Sequence, residues 1–136
     1  MKYLAEINWL AVIGATIAAF LLGGLWFSVL FTDKWVAAVG KSKEEMGKPG
    51  PSMALSFVMT FIMALSLALV IATMLPMSMM GSIRFGLVVG AGIVATGMAS
   101  DYAFTNWSKT LFWIQASYHV TMVVLMSVII NAITNR

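Results

Sequence analysis

The chain has 136 residues, of which 61% are hydrophobic and 10% are charged, whereas soluble domains average roughly 25% charged residues, so a soluble globular fold is excluded. The net charge of +3 is small, and no segment combines dense lysine or arginine with interleaved aromatic residues, so we expect no nucleic-acid partner. Because cysteine is absent, disulfides, thiolate metal sites and thiol catalysis are excluded as well.

Four long apolar stretches run along the chain, over about residues 9–31, 53–75, 85–104 and 111–133. Each is close to the ~20 residues that an α-helix needs to cross a hydrocarbon core of ~30 Å. We name them the first to the fourth span. The sequence therefore predicts an all-α polytopic membrane protein, a single domain over residues 1–136, with four transmembrane helices in two antiparallel hairpins.

The polar segment 32–52 separates the first span from the second. An apolar face is formed by its residues Trp35, Val36 and Val39. This pattern predicts a short helix in the headgroup zone, which Gly40 ends. Pro and Gly residues at 49–51 then break the chain, so we expect Ser52 to cap the second span.

Two tight returns connect the later spans. Leu75-Pro76 is expected to close the second span, and residues 77–82 form a short return to the third. Short connections favour antiparallel neighbours, so we expect the second and third spans to pack together. Residues 106–109 make the return from the third span to the fourth.

The distribution of lysine and arginine orients the chain. One side of the membrane would hold three cationic residues, Lys2, Arg84 and Arg136. The other would hold five, Lys34, Lys41, Lys43, Lys48 and Lys109. By the positive-inside rule we expect the loop 32–52 in the cytoplasm and both termini outside.

Polar and aromatic residues gather at one end of the predicted bundle. The candidate polar site consists of Trp26, Ser28, Asp101, Gln115, Tyr118 and His119. An aromatic belt with interfacial polar residues is the simpler interpretation, and a cavity open to that face is the alternative. With a rise of 1.5 Å per residue from the nearby return, Asp101 lies about 9 Å deep, Gln115 about 12 Å and His119 about 18 Å.

His119 is the one ionisable side chain well inside a span. It stands four residues after Gln115, so both project from one face of the fourth span. Ionisable groups inside a membrane usually carry function, although a neutral imidazole is tolerable when it is hydrogen-bonded. Three hydroxyls are candidate structural partners, those of Thr16, Thr60 and Thr96. The alternatives are proton handling, ligand binding and axial ligation of a haem or chlorophyll.

Twelve methionines raise the question of copper, because thioether sulfur favours Cu(I). Met74, Met77 and Met80 repeat every third residue and form the weak candidate set. Adaptable apolar packing explains them more simply, so we expect no metal and no cofactor.

Small residues predict close helix packing. The candidates are Gly86, Gly90 and Gly97 in the third span and Gly23 and Gly24 in the first. Glycines lower a helix surface and let another helix approach. Beyond the surface pair Glu44-Glu45 there are no paired carboxylates, and there is no phosphate loop or nucleophile elbow, so we expect no enzyme activity.

Several short motifs resemble those of one family. They are Asn8-Trp9-Leu10-Ala11-Val12, Gly24-Leu25-Trp26-Phe27-Ser28, Lys34-Trp35, Lys43-Glu44-Glu45-Met46 and Leu111-Phe112-Trp113-Ile114-Gln115-Ala116-Ser117-Tyr118-His119. Together they are similar to the small bacterial membrane proteins grouped as domain of unknown function 1761, over nearly the whole chain. The resemblance implies a compact four-helix domain in the bacterial inner membrane and carries no established activity.

Two function classes follow from these observations. The first is a non-catalytic membrane subunit or binding module, which contacts the lipid bilayer and forms a homo-oligomer or joins a larger complex. The second is a small-solute or proton-coupled transporter that uses Asp101, Gln115 and His119. A transporter predicts a hydrated cavity reaching His119, whereas a subunit predicts a dry interior with grooves that face lipid or a partner.

Overall fold

Helices make up nearly all of the computed structural model, which describes residues 2–136 and contains no strand within them. The four spans are Trp9–Leu30, Pro49–Ala72, Met79–Thr105 and Lys109–Thr134. Each is long and apolar enough to cross a membrane. The predicted all-α class and the number of membrane-spanning helices are confirmed.

Three spans begin earlier than the sequence predicts, the fourth by only two residues, at Lys109. The second begins at Pro49, and Lys48, rather than Ser52, occupies its N-cap position. The N–H groups in the first turn of a helix have no partner within the helix, so proline, which lacks an N–H, loses no hydrogen bond there. Pro49 therefore starts this helix and does not interrupt it. The third span begins at Met79, because the Ser78 hydroxyl accepts a hydrogen bond from the Gly81 N–H at 3.0 Å.

Three short helices flank the spans, at Lys2–Ala5, Thr32–Val39 and Lys43–Met46. The second of these ends at Gly40, whose φ of 69° is the left-handed conformation that glycine adopts readily. The third starts with a capping box, in which Ser42 and Glu45 each bind the other's backbone N–H, at 3.2 and 3.4 Å.

The fourth span lies at the centre of the bundle, between the first span and the third. Both neighbours run antiparallel to it. On the first span, Gly14 lies beside Ile133 while Trp26 bonds to Ile114. The second span packs against the first and also contacts the fourth.

The second and third spans barely contact each other, so the predicted packing of these neighbours is wrong. The reason is visible at residues 73–78, which connect them. Side-chain amides near the end of the fourth span reach this return, where Asn131 Nδ2 donates to the Ser78 carbonyl at 3.5 Å and Asn135 Nδ2 to the Met77 carbonyl at 3.1 Å. The end of the fourth span therefore lies between the second and third spans.

The core is concentrated at one end of the bundle. We call the end near residues 73–78 the packed half and the end near residues 106–108 the open half. The largest fully buried apolar side chains are Val12, Ile71, Val123, Met126 and Ile130. By contrast, residues 49–59 of the second span, which lie in the open half, are all exposed. The spans therefore pack closely at one end and separate toward the other.

Two π-helical segments interrupt the spans, at Trp26–Leu30 in the first and Val88–Ala95 in the third. An i→i+5 turn inserts residues relative to an α-helix, and each insertion rotates the following residues by about 100°. Residues that follow each segment therefore point in directions that differ from those predicted by regular α-helical spacing.

Candidate functional site

Two separate hydrogen bonds involve Gln115 in the open half, and the first of them joins the third span to the fourth. The Tyr102 hydroxyl donates to Gln115 Oε1 at 3.0 Å, and His119 Nδ1 lies 2.8 Å from the Gln115 carbonyl oxygen. Because a carbonyl only accepts, Nδ1 carries the proton in this arrangement. In the neutral imidazole, Nε2 then remains as a hydrogen-bond acceptor.

Local geometry positions these three side chains. His119 follows Gln115 by four residues, which brings its ring back over the carbonyl of the preceding turn. The tight return places Tyr102 opposite the start of the fourth span. Its ring makes edge-to-face contacts with Trp107 and Phe112, with centroids 5.0 and 5.4 Å apart. The aromatic contacts therefore fix the tyrosine whose hydroxyl reaches Gln115.

Trp26 and Tyr118 connect the first span to the fourth. Trp26 Nε1 donates to the Ile114 carbonyl at 3.1 Å, and the Tyr118 hydroxyl donates to the Ala19 carbonyl at 3.3 Å. Their ring centroids are 6.3 Å apart, and the Tyr118 ring also lies 5.1 Å from that of His119. Four residues of the candidate polar site, with Tyr102, are thus linked across three spans.

Asp101 and Ser28 lie outside this arrangement. Both are exposed, and neither side chain hydrogen-bonds to another residue within the described 2–136. The position beside Gln115 belongs to Tyr102, because adjacent residues on a helix point about 100° apart. Sequence reasoning placed Asp101 and Gln115 at similar depths, and the direction of each side chain was the missing information.

The three threonines expected near His119 do not bind it. Each hydroxyl donates to the carbonyl four residues earlier in its own helix, at 2.7 Å for Thr16, 2.7 Å for Thr60 and 2.8 Å for Thr96. Such bonds satisfy a hydroxyl inside an apolar span without any partner from another helix. His119 is held by the Gln115 backbone instead.

The candidate methionines do not share one environment. Met77 is only 7% exposed and packs under Gly81, whereas Met74 and Met80 are 48% and 55% exposed. Among the described residues, no group of three His, Cys, Asp or Glu side chains stands close enough together to hold a metal ion.

The glycines divide into those at a helix contact and those outside one. A Cβ added at Gly86 would lie 2.6 Å from Val124 Cα, and one added at Gly90 would lie 3.0 Å from Val120 Cα. At Gly23 it would lie 2.9 Å from the Tyr118 hydroxyl. Gly24 and Gly97 meet nothing within 4 Å, so the predicted packing role is wrong for these two within one chain.

The π-helical segment explains the error at Gly97. In a regular α-helix Gly86, Gly90 and Gly97 would share one face. The segment Val88–Ala95 includes Gly90, ends before Gly97 and rotates the remainder of the third span. The residues that continue the contact face recur every four positions and include Ser82, Gly86, Gly90, Val94 and Tyr102.

A groove of about 570 Å³ opens on the outside of the bundle between the third and fourth spans. Its lining includes Ala91, Ala95 and Ala99 on one side and Ala116, Ser117 and Thr121 on the other. A second cavity of about 260 Å³ adjoins it at the return and shares Ala99 and Phe112. Both cavities lie in the open half.

Sequence reasoning did not identify a buried polar cluster in the packed half. Ser82, Ser127 and Asn131 are buried there, and Asn131 Oδ1 has no hydrogen-bond partner. The available signal was the spacing of Ser127, Asn131 and Asn135, four residues apart, on one face of the fourth span. Polar residues on one face of an apolar span indicate contact with another protein segment.

Comparison with known protein families gives one match. A family model described as "Protein of unknown function (DUF1761)" matches residues 10–131. Neither the curated proteins nor the solved structures contain a match. The match covers all four spans except the ends of the first and the fourth.

Proposed function

We propose that this chain, which belongs to the DUF1761 family, is a non-catalytic membrane subunit or binding module. In this role the packed half holds the spans together, and the groove between the third and fourth spans receives the bound molecule. The groove is the single observation that carries the proposal, since it is an outward depression of about 570 Å³ lined by side chains of two spans.

The interior supports a scaffold role. Buried apolar side chains from the first, second and fourth spans form one continuous core. The buried hydroxyls of Thr16 and Ser127 donate to carbonyls of their own helices, both at 2.7 Å. Such an interior suits a rigid support, because close-packed side chains resist rearrangement.

Site-specific photo-crosslinking tests the proposal. A benzophenone amino acid at Thr121, inside the groove, should give one discrete adduct with the occupant in intact membranes. The matched control is Leu21, which is exposed on the first span and lies outside the groove. Similar diffuse labelling from both positions would contradict a specific binding groove.

Orientation and assembly complete the proposal. We infer that the loop 32–52 faces the cytoplasm of a bacterium and that the chain works as an oligomer. Because the chain has no cysteine, single cysteines at Ser42 and Asn135 can be labelled without background. Labelling of Asn135 but not Ser42 in intact cells supports the orientation, and the opposite pattern contradicts it.

A proton-coupled transporter is the second candidate function. The observation that favours it is an imidazole inside a span, since His119 Nδ1 bonds to the Gln115 carbonyl and Nε2 has no hydrogen bond to another described residue. Asp101 would then act at the exposed entrance. In proteoliposomes, His119→Ala should abolish a pH-driven flux, while Trp113→Phe should keep it. Equal fluxes with and without the protein would exclude this candidate.

A further inference from the structure

We propose that the groove and the adjoining cavity together bind one anionic phospholipid. The acyl chain would lie along the groove between the third and fourth spans. The phosphate would lie in the cavity beside Lys109, at the start of the fourth span. This inference rests on the proposed binding role and names the class of ligand.

The dimensions of the two cavities fit one leaflet of a bilayer. On the fourth span their lining extends from Lys109 to Thr121, which is about 18 Å at 1.5 Å per residue. One leaflet of a hydrocarbon core of ~30 Å is about 15 Å thick. The site therefore spans from the membrane interface to about mid-membrane, as one lipid does.

The groove is too narrow to enclose a helix. On the fourth span the groove itself is lined from Phe112 to Thr121, about 14 Å at 1.5 Å per residue, so its volume of about 570 Å³ gives an average cross-section of roughly 40 Å². A helix with side chains is about 10–12 Å in diameter, which corresponds to roughly 80–110 Å². A flexible hydrocarbon chain fits this width, and a helix of a second copy would only rest on the rim.

The two ends of the site differ in chemistry as the two parts of a lipid do. The groove is lined mainly by alanine methyl groups and aromatic rings, while the adjoining cavity adds Asn106, Trp107 and Lys109. Tryptophan at the edge of a span is typical of the headgroup level. The polar end of the site therefore coincides with the interface.

Charge selects an anionic headgroup. Among the described residues that line either cavity, Lys109 is the only charged one. It is also the first residue of the helix Lys109–Thr134, where the unpaired N–H groups add partial positive charge. No lining carboxylate is present to bind the ammonium group of a zwitterionic lipid.

Packing explains why the groove exists. Gly86 and Gly90 bring the third span against the backbone of the fourth in the packed half. In the π-helical segment Val88–Ala95, which includes Gly90, the side chains of Ala91 and Ala95 line the outer side of the contact. Their short side chains leave the space between the spans unfilled.

Native mass spectrometry with defined lipids tests the proposal. The purified protein should retain phosphatidylglycerol in preference to phosphatidylcholine of the same acyl chains, with one lipid per chain. Lys109→Gln should reduce this preference about fivefold, the effect of one cationic side chain near anionic lipid. Lys34→Gln, which removes an exposed lysine outside both cavities, should leave it unchanged.

A second variant fills the groove without changing charge. Ala99→Leu should lower the retention of both lipids, whereas Ala54→Leu, exposed on the second span, should have no effect. Equal retention of both lipids by the unmodified protein would overturn the anionic assignment while the binding role stands. Crosslinking of Thr121 to a second chain would also overturn it. If Thr121 captures nothing specific, the proposed function fails with it.

Discussion

The contact between the third and fourth spans differs between its two halves. In the packed half, Gly86 and Gly90 allow the third span to approach the backbone of the fourth at Val124 and Val120. In the open half the same two helices leave a groove of about 570 Å³ between them. Small residues occur in both halves, so small size alone does not determine whether helices touch. What differs is the direction that each residue faces, since Gly86 and Gly90 face the fourth span and Ala91 and Ala95 face the groove.

The largest effect is expected where the backbone itself blocks a side chain. Gly86→Leu would place its Cβ 2.6 Å from Val124 Cα, so the third and fourth spans must separate. We expect a loss of at least about 3 kcal/mol in the free energy of unfolding, measured by denaturant titration in mild detergent.

Gly97→Leu is the matched control, because the same substitution meets nothing within 4 Å. Its stability should change by less than about 0.5 kcal/mol. Equal losses at Gly86 and Gly97 would show that helix propensity or insertion, rather than contact, governs both changes. Equal tolerance would mean that the packed half is not close-packed at Gly86.

The lengths of the apolar runs in the sequence were enough to predict the number of spans. Span number follows from runs of about 20 apolar residues, which any bilayer requires. Helix boundaries were less predictable, because Pro49 both breaks an incoming strand or helix and starts a new helix. The order of packing was not predictable, since it brings Asn131 and Asn135 to the return 73–78. These contacts join residues more than 50 positions apart in the chain.

The next largest loss of unfolding free energy is expected in the packed half, where two adjacent side chains can be compared. Ile130 and Asn131 are both almost fully buried, at 1% and 2% exposed. Ile130→Ala should cost about 2–5 kcal/mol, because it removes apolar contacts and leaves a cavity. Asn131→Ala should cost less than about 1 kcal/mol, because it also removes the unpaired Oδ1.

The Ser78 carbonyl stays paired in the Asn131 variant. It accepts the Ser82 N–H at 3.0 Å in addition to the amide of Asn131 at 3.5 Å. Thermal unfolding of both variants in the same detergent is the measurement. A loss at Asn131 as large as that at Ile130 would mean that Oδ1 has a partner, such as a buried water.

A smaller effect is expected at the junction of the first and fourth spans in the open half. Trp26→Phe keeps an aromatic ring and removes the N–H that donates to Ile114 at 3.1 Å. We expect a loss of about 1 kcal/mol in unfolding free energy. Trp113→Phe, at an exposed tryptophan, should change stability by less than half of that. A larger loss for Trp113→Phe than for Trp26→Phe would mean that the main aromatic contact lies at the lipid-facing surface.

The sequence predicted which residues belong to the candidate site better than it predicted which of them contact each other. Gln115 and His119 share a face because of their four-residue spacing, and the structure joins them through one backbone carbonyl. The partner of Gln115 required the rotation of the third span, which places Tyr102 rather than Asp101 opposite it. Rotation depends on the π-helical segment Val88–Ala95, for which the sequence offers no rule beyond its glycines.

The smallest effect is expected for the hydrogen bond between Tyr102 and Gln115. Tyr102→Phe removes the hydroxyl and keeps the ring against Trp107 and Phe112. The bond lies near the membrane interface, where water can replace the lost donor, so we expect a loss of about 0.5 kcal/mol or less. Tyr118→Phe is a matched change on the fourth span, where the lost donor serves the Ala19 carbonyl at 3.3 Å. Equilibrium unfolding of the two variants side by side measures the difference. A loss above about 2 kcal/mol at Tyr102 would show that Gln115 is shielded from water, which would make the open half as dry as the packed half.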